Sequence, residues 1–293
     1  MRLATVTGAS GEALAICRKT GAVVITDLNR ALHQRWPETM EQMLQSGQLE
    51  EMANWYRDAG QEALNEKRNA GLGRQQVDYA PLYRHPPKIW GIGLNYVAHA
   101  EDLSEKAPTS APASFMKPDT TIIGPGDTIR IPALSDKTTA EAELGVIIGR
   151  RCKDVPRKRW LDVVAGFTTI LDMTAEDILR RNPRYLTMSK SFDTFFSFGP
   201  QLVTPDEIED VFRLTVSTVI NGRVHAANSV DRMTFPPDAL IAYHSRVMTL
   251  LPGDIISTGT PGAVPIRHGD RVECRISGFE PLRNAVIDVK QSQ

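Results

Sequence analysis

Two glutamates two residues apart, Glu141 and Glu143, lie in the run AEAELGVIIG, and a third carboxylate, Asp172, follows the apolar run VVAGFTTIL. If the first run is a strand, its side chains alternate faces, so Glu141 and Glu143 point one way while Ala142 and Leu144 point the other. Two ionised carboxylates side by side and partly out of water repel, and one takes up a proton unless something positive sits between them. A divalent cation is the economical solution. An exposed strand face would tolerate the pair at little cost, but two features argue against exposure. The following GVIIG is apolar on both faces, as in a covered sheet. Asp172 keeps similar company, ending its apolar run just ahead of Thr174-Ala175-Glu176, which reads as a helix start. Three carboxylates with no cysteine nearby suit a hard cation, Mg²⁺ or Mn²⁺ with water in its remaining positions, rather than zinc.

The elements that must position these groups divide the chain in two. Leu3 to Thr7 and Val23 to Leu28 read as short strands around Lys19-Thr20-Gly21. Pro37 opens a helical pattern through Leu44 with Gly47 as its stop. A second helix is expected from Leu49 to Asn65, with Met52, Trp55, Tyr56 and Ala59 on one face. Asn69 to Pro87 turns to Gly, Arg, Gln and Pro and reads as a connector. Residues 1–85 are therefore expected to form a small N-terminal α+β domain with its connector, and residues 86–293 a larger one.

The larger part is rich in strands: Ile89 to Gly93, Ile129 to Ile131, Leu144 to Ile148, Val163 to Leu171, Leu214 to Ile220, Ile255 to Thr258 and Val272 to Ile276. Asn221-Gly222 predicts a hairpin turn, since both central residues of that turn need positive φ. The aspartates of Gly126-Asp127, Gly253-Asp254 and Gly269-Asp270 read as turn chemistry ahead of strands. Helical patterns run from Thr174 to Arg181 and from Pro237 to Leu250. The expected fold class is α+β, dominated by β structure.

A chain of 293 residues can bury a large core. Its net charge of −1, with acids and bases interspersed, gives no footprint for nucleic acid and no polybasic membrane anchor. No apolar run is long enough to span a bilayer, and MRLATVTGAS lacks the features of a secretion signal, so a cytoplasmic location is expected. Cys17, Cys152 and Cys274 are scattered, without paired spacing, and read as reduced and mostly buried.

The segments GIGLNYVAHAED, SFMKP, AEAELGVIIG, AGFTTILDMTAED, SKSFDTFFSFGPQLVT and GDIISTGTPGAV, in that order and spacing, resemble the fumarylacetoacetate hydrolase superfamily. The resemblance covers the larger part and implies a mixed β-sandwich roll catalytic domain, usually in a homodimer. It implies one Mg²⁺ or Mn²⁺ ion held by Glu141, Glu143 and Asp172. It also implies a substrate that is a 2-oxo acid with a further carbonyl or carboxylate nearby. Hydrolytic C–C cleavage, decarboxylation and tautomerisation of such acids all pass through an enolate that a cation stabilises.

The same resemblance assigns roles to other residues. A lone histidine is ordinarily capped and solvated, but NYVAHAED resembles the family's lid, in which a His and a Glu three residues later activate water. His99 is thus the expected general base. Position 102 is Asp here and Glu101 stands beside it, so either Asp102 or Glu101 is its partner. Lys117 and Lys190 match lysines near metal and substrate, Lys190 with a catalytic role as well. Gly259 and Thr260 match a turn that meets the substrate carboxylate, although a Gly-Thr-Pro turn needs no ligand to form. Tyr96 joins them as a substrate-binding residue. Glu176 stands where many members have an arginine facing the substrate's charged end. That reversal disfavours a second acidic group on the substrate unless Arg180 or Arg181 reaches in.

The expected activity is hydrolysis of a 2,4-dioxo acid to a 2-oxo acid and a carboxylic acid. An oxaloacetate decarboxylase or 2-hydroxydienoate isomerase at the same metal is the alternative from another reaction class. A non-catalytic ligand-binding member is the third.

Overall fold

A computed structural model of the chain describes residues 1–8, 11–18, 21–66, 77–96 and 108–291. The chain opens with an antiparallel meander of β1 (Arg2–Gly8), β2 (Gly11–Arg18) and β3 (Gly21–Val24). The stretch expected as a strand from Val23 to Leu28 breaks after Val24, and α1 (Ile25–Leu32) follows at once. Ile25 and Leu28, three apart, are its buried positions, and that spacing suits one face of a helix. Next comes α2 (Met40–Ser46), with the Thr39 hydroxyl accepting from Gln42 N at 3.3 Å and Gly47 closing the helix in the left-handed region. The expected second helix is present as α3 (Leu49–Trp55), a π turn (Tyr56–Gly60) and α4 (Gln61–Glu66).

The later part supplies β4 (Ile89–Gly93), β5 (Ala113–Lys117), β6 (Ile122–Ile123), β7 (Thr128–Ile131) and the long pair β8 (Thr138–Ile148) and β9 (Val164–Ala175). Two short helices, α5 (Glu176–Arg181) and α6 (Leu186–Lys190), lead to β10 (Phe196–Val203). The hairpin β11 (Thr215–Ile220) and β12 (Arg223–Ser229) turns at Asn221-Gly222, whose φ values are 53° and 80°. After α7 (Pro237–Val247) come β13 (Ile255–Ser257), β14 (Val264–Pro265), β15 (Arg271–Ile276) and β16 (Leu282–Asp288). The three Gly-Asp pairs make the same turn: Asp127, Asp254 and Asp270 each accept, through Oδ2, the N–H three residues back, at 2.7, 2.8 and 2.7 Å.

Among the described residues the strands form two sheets. The larger runs β3-β2-β1-β10-β9-β8-β13-β4-β5, with β14 also paired to β8 and β6 to β10; the smaller runs β12-β11-β15-β16-β7. Because β1 pairs with β10, the meander that precedes the compositional change near residue 85 belongs to the same sheet as the long strands that follow it. The fold is α+β and dominated by β structure.

Strand β8 is buried along its whole length, so both of its faces are covered. Its even positions, Ala142, Leu144 and Val146, share a buried cluster with Val216, Val272 and Cys274 of the smaller sheet. Toward its far end the odd face packs Ile147 beside Ile170, Phe198, Leu14, Met43 and Met52. Full burial of each such side chain contributes about 1.5–3 kcal/mol. The N-terminal helices thus cover one end of the sheet face whose other end carries Glu141 and Glu143.

Candidate metal centre

The antiparallel register of β8 on β9 sets Glu141 directly opposite Asp172 and Glu143 opposite Ile170. Opposed residues share a face, so all three carboxylates rise from one side of the sheet. Their ligand oxygens lie within 4.8 Å of one another, and all three residues are buried, Asp172 completely. Asp172 does not end its strand as expected. Thr174 and Ala175 continue the ladder opposite Thr139 and Thr138, and the helix begins only at Glu176.

Two buried lysines complete the cluster. Lys117, at the end of β5, places Nζ 2.5 Å from Asp172 Oδ1. Lys190, at the end of α6, donates to Asp172 Oδ2 at 2.7 Å and to Glu141 Oε2 at 3.0 Å. The Thr174 hydroxyl donates to Glu141 Oε1 at 2.6 Å. Glu143 is held from the other side: Ser257 Oγ and the Gly259 N–H both donate to its Oε2, at 2.5 and 2.8 Å. Gly259 has φ 95°, and a Cβ there would stand 2.7 Å from Cβ of Asn95, so only glycine brings this N–H to the carboxylate. Asn95 in turn staples the turn by donating to Thr258 O at 2.7 Å and Phe235 O at 2.9 Å.

Three carboxylates against two ammoniums leave one negative charge in excess. Burial, then the charges of Asp172 and Glu141, push the Glu143 carboxyl up to about 8, so the metal-free cluster keeps a proton there at neutral pH. Burial disfavours the Lys190 ammonium, but Asp172, Glu141 and Glu143 outweigh it and hold its pKa above the usual lysine range. Lys117 is pulled down, because burial and the neighbouring Lys190 outweigh its pairing with Asp172.

The donor set fits a hard cation. It is all oxygen and buried, and each Asp172 oxygen spends one lone pair on a lysine and keeps another. Glu141, Glu143 and Asp172 are the residues that would hold the ion.

Other expected site residues fall in several places. His99, Glu101 and Asp102 lie outside the described residues. Tyr96 is fully buried with its ring in the core cluster between the sheets, and its hydroxyl has no hydrogen-bond partner. The Thr260 hydroxyl donates to Gly262 O at 3.1 Å and accepts from Gly262 N, so it braces its own turn. Glu176 accepts from Arg180 Nε at 2.6 Å and pairs with Lys137 Nζ at 2.7 Å. Arg180 and Lys137 thus both pair with Glu176, so its carboxylate does not stand as an unpaired negative charge. Sequence reasoning passed over Thr174 and Ser257 as ligands of the glutamates. Thr174 lies two residues from Asp172 and Ser257 two from Gly259, so strand alternation was the signal for both.

The C-terminal family model of fumarylacetoacetate (FAA) hydrolase matches residues 88–287, a span that holds the whole cluster. The chain belongs to the FAA hydrolase family. Among relatives of this family member is the mitochondrial oxaloacetate tautomerase Fahd2a of Rattus norvegicus, 33% identical over 271 residues, which are 90% of this chain and 84% of that protein. Solved structures similar to it include maleylpyruvate hydrolase from Sphingobium sp. SYK-6 in complex with manganese(II) ion and pyruvate. That structure is 30% identical with a TM-score of 0.76, and the match covers 98% of this chain and 99% of the other. A 5-carboxymethyl-2-hydroxymuconate delta-isomerase from Mycobacterium smegmatis is 30% identical with a TM-score of 0.74, covering 98% and 99%. The family thus spans hydrolysis, isomerisation and tautomerisation, and membership makes this chain an enzyme without fixing which reaction it runs. No helix among the described residues is long and apolar enough to cross a membrane.

Proposed function

We propose that this FAA hydrolase family member cleaves the C–C bond of a 2,4-dioxo acid, giving a 2-oxo acid and a carboxylic acid, with a resident Mg²⁺ or Mn²⁺ ion. The observation that carries this reading is the buried cluster of three carboxylates crossed by two lysines. The ion supplies electrophilic stabilisation for negative charge developing on the 2-oxo oxygen of the substrate. Lys190 uses two N–H bonds on Asp172 and Glu141 and keeps a third to donate to a substrate oxygen. Lys117 adds a second cation beside Asp172, favouring an anionic substrate. Ser257 and Gly259 hold Glu143 by a single oxygen and fix its orientation. His99, with Asp102 or Glu101, takes the proton of a water that adds to the 4-carbonyl. The C3–C4 bond then breaks, its electron pair passes into the 2-oxo group, and C3 is protonated.

A second reading is oxaloacetate tautomerisation at the same cluster, with a proton moved at C3 and no water added. It is favoured by the rat tautomerase, which matches nine tenths of the chain, and by the pairing of Glu176 with Lys137 and Arg180. One experiment separates the two readings. Purified protein with Mg²⁺ is incubated with acetylpyruvate and, separately, with oxaloacetate, and each reaction is followed by NMR. Acetate plus pyruvate from acetylpyruvate is the expected result. Accelerated keto–enol exchange of oxaloacetate without cleavage supports the second reading, and pyruvate plus CO₂ from oxaloacetate supports a decarboxylase. Turnover of neither, with Mn²⁺ and oxalate still bound, contradicts both readings. The homodimer expected of the family is read from light scattering on the same sample.

A further inference from the structure

Strand β5 sends two side chains to the carboxylate face, Lys117 and, two residues earlier, Phe115. The Phe115 ring lies under the Lys190 ammonium, with Nζ 5.0 Å from its centroid. Across the β4–β5 ladder the residue directly opposite Phe115 is Gly91. A Cβ at Gly91 would stand 2.2 Å from Phe115 Cζ and 2.4 Å from Cε2, well inside contact distance. Gly91 is not among the positive-φ glycines, so its backbone would accept any residue. Glycine weakens a strand, and its place here between Trp90 and Ile92 answers to space alone. The ring occupies the room that a side chain at 91 would take.

The same row of the sheet continues to Ser257, which pairs with Gly91 and donates to Glu143. The ring therefore lies on the floor of the cluster. It lies against the same Lys190 ammonium that donates to Asp172 and Glu141. A cation held between carboxylates and the face of a ring has one arrangement in place of several, which fixes the direction of its remaining N–H.

We propose that Phe115, seated in the gap left by Gly91, is the positioning residue for Lys190. It acts through the lysine, and the proposal rests on the cluster being the reactive centre.

The test uses the full-length protein as Phe115→Ala, Phe115→Leu, Phe115→Tyr, Gly91→Ala and the Gly91→Ala/Phe115→Ala double variant. Three readouts are taken: turnover of the 2-oxo acid that the wild type accepts, the Mn²⁺ dissociation constant, and acetic anhydride labelling of individual lysines by mass spectrometry without substrate. Exposed Lys158 serves as the labelling standard. Phe115→Ala and Gly91→Ala are each expected to lower kcat about tenfold, with KM changed less than about threefold and Mn²⁺ affinity within about twofold. Phe115→Leu, which keeps bulk without a ring face, falls with them, and Phe115→Tyr recovers most of the rate. The double variant is no slower than Phe115→Ala, because both changes remove the same contact.

Labelling of Lys190 is expected to rise about fivefold in Phe115→Ala and in Gly91→Ala, while Lys117, held by Asp172, stays protected. Full activity in Phe115→Leu, a double variant with multiplied losses, or labelling that rises at both lysines or at neither overturns the proposal. A wild type that turns over no 2-oxo acid defeats the functional reading instead, and the labelling arm still decides the role of Phe115.

Discussion

Asp172→Asn is expected to lose the metal and most of the activity, and to destabilise the protein. Asp172 is fully buried and is the one carboxylate that both lysines touch, Lys117 on Oδ1 and Lys190 on Oδ2. Asparagine keeps the shape but removes the charge, and it turns a donor NH₂ toward one of the ammoniums. Breaking a buried ion pair by deleting one partner costs about 3–5 kcal/mol, because the surviving charge stays out of water. The substitution also replaces an anionic ligand by a neutral amide, so Mn²⁺ affinity measured by calorimetry should drop by at least about a hundredfold. A variant that melts at a lower temperature yet binds Mn²⁺ as the wild type does would make Asp172 a structural partner of the lysines and remove it from the ligand set.

His99→Ala is expected to separate chemistry from metal binding. Loss of a general base slows hydrolysis by about 10²–10⁴-fold, whereas among the described residues the carboxylates are held by Lys117, Lys190, Thr174, Ser257 and Gly259. Mn²⁺ affinity should therefore stay near that of the wild type. Hydrolysis at the wild-type rate would remove His99 from the mechanism. Loss of hydrolysis with oxaloacetate tautomerisation preserved would show that the histidine serves only the water-adding step.

The cluster was legible in the sequence because strand alternation is a strict rule. Glu141 and Glu143, two residues apart in an apolar run, had to share a face, and the register of β8 on β9 brings Asp172 across from Glu141. Asp172 read as a strand end because Thr174-Ala175-Glu176-Asp177 looks like a capped helix start. The ladder to Thr138 and Thr139 holds those residues extended for one more turn of the pleat, an example of tertiary pairing overriding a local signal. The same competition, in reverse, ended the expected Val23–Leu28 strand after Val24, where the buried spacing of Ile25 and Leu28 favours a helix.

Partners that act across the fold were harder to read. Nothing local in GEALAICR marks β2 as the middle strand of a meander, and nothing in Arg2–Gly8 shows that it joins β10, almost two hundred residues away. The charge of Glu176 illustrates the same limit. Its residue type alone reversed the sign of that corner, while Lys137, which pairs with the carboxylate, comes from just ahead of β8. Ser257 and Gly259 reach Glu143 only because β13 lies beside β8.

The central claim is that Glu141, Glu143 and Asp172 together grip one divalent cation. Anomalous diffraction from crystals soaked in Mn²⁺ tests it most directly. The account predicts a single strong peak per chain within bonding distance of an oxygen from each of the three residues. A map with no peak there, from crystals of a protein that still turns over its 2-oxo acid, would contradict it.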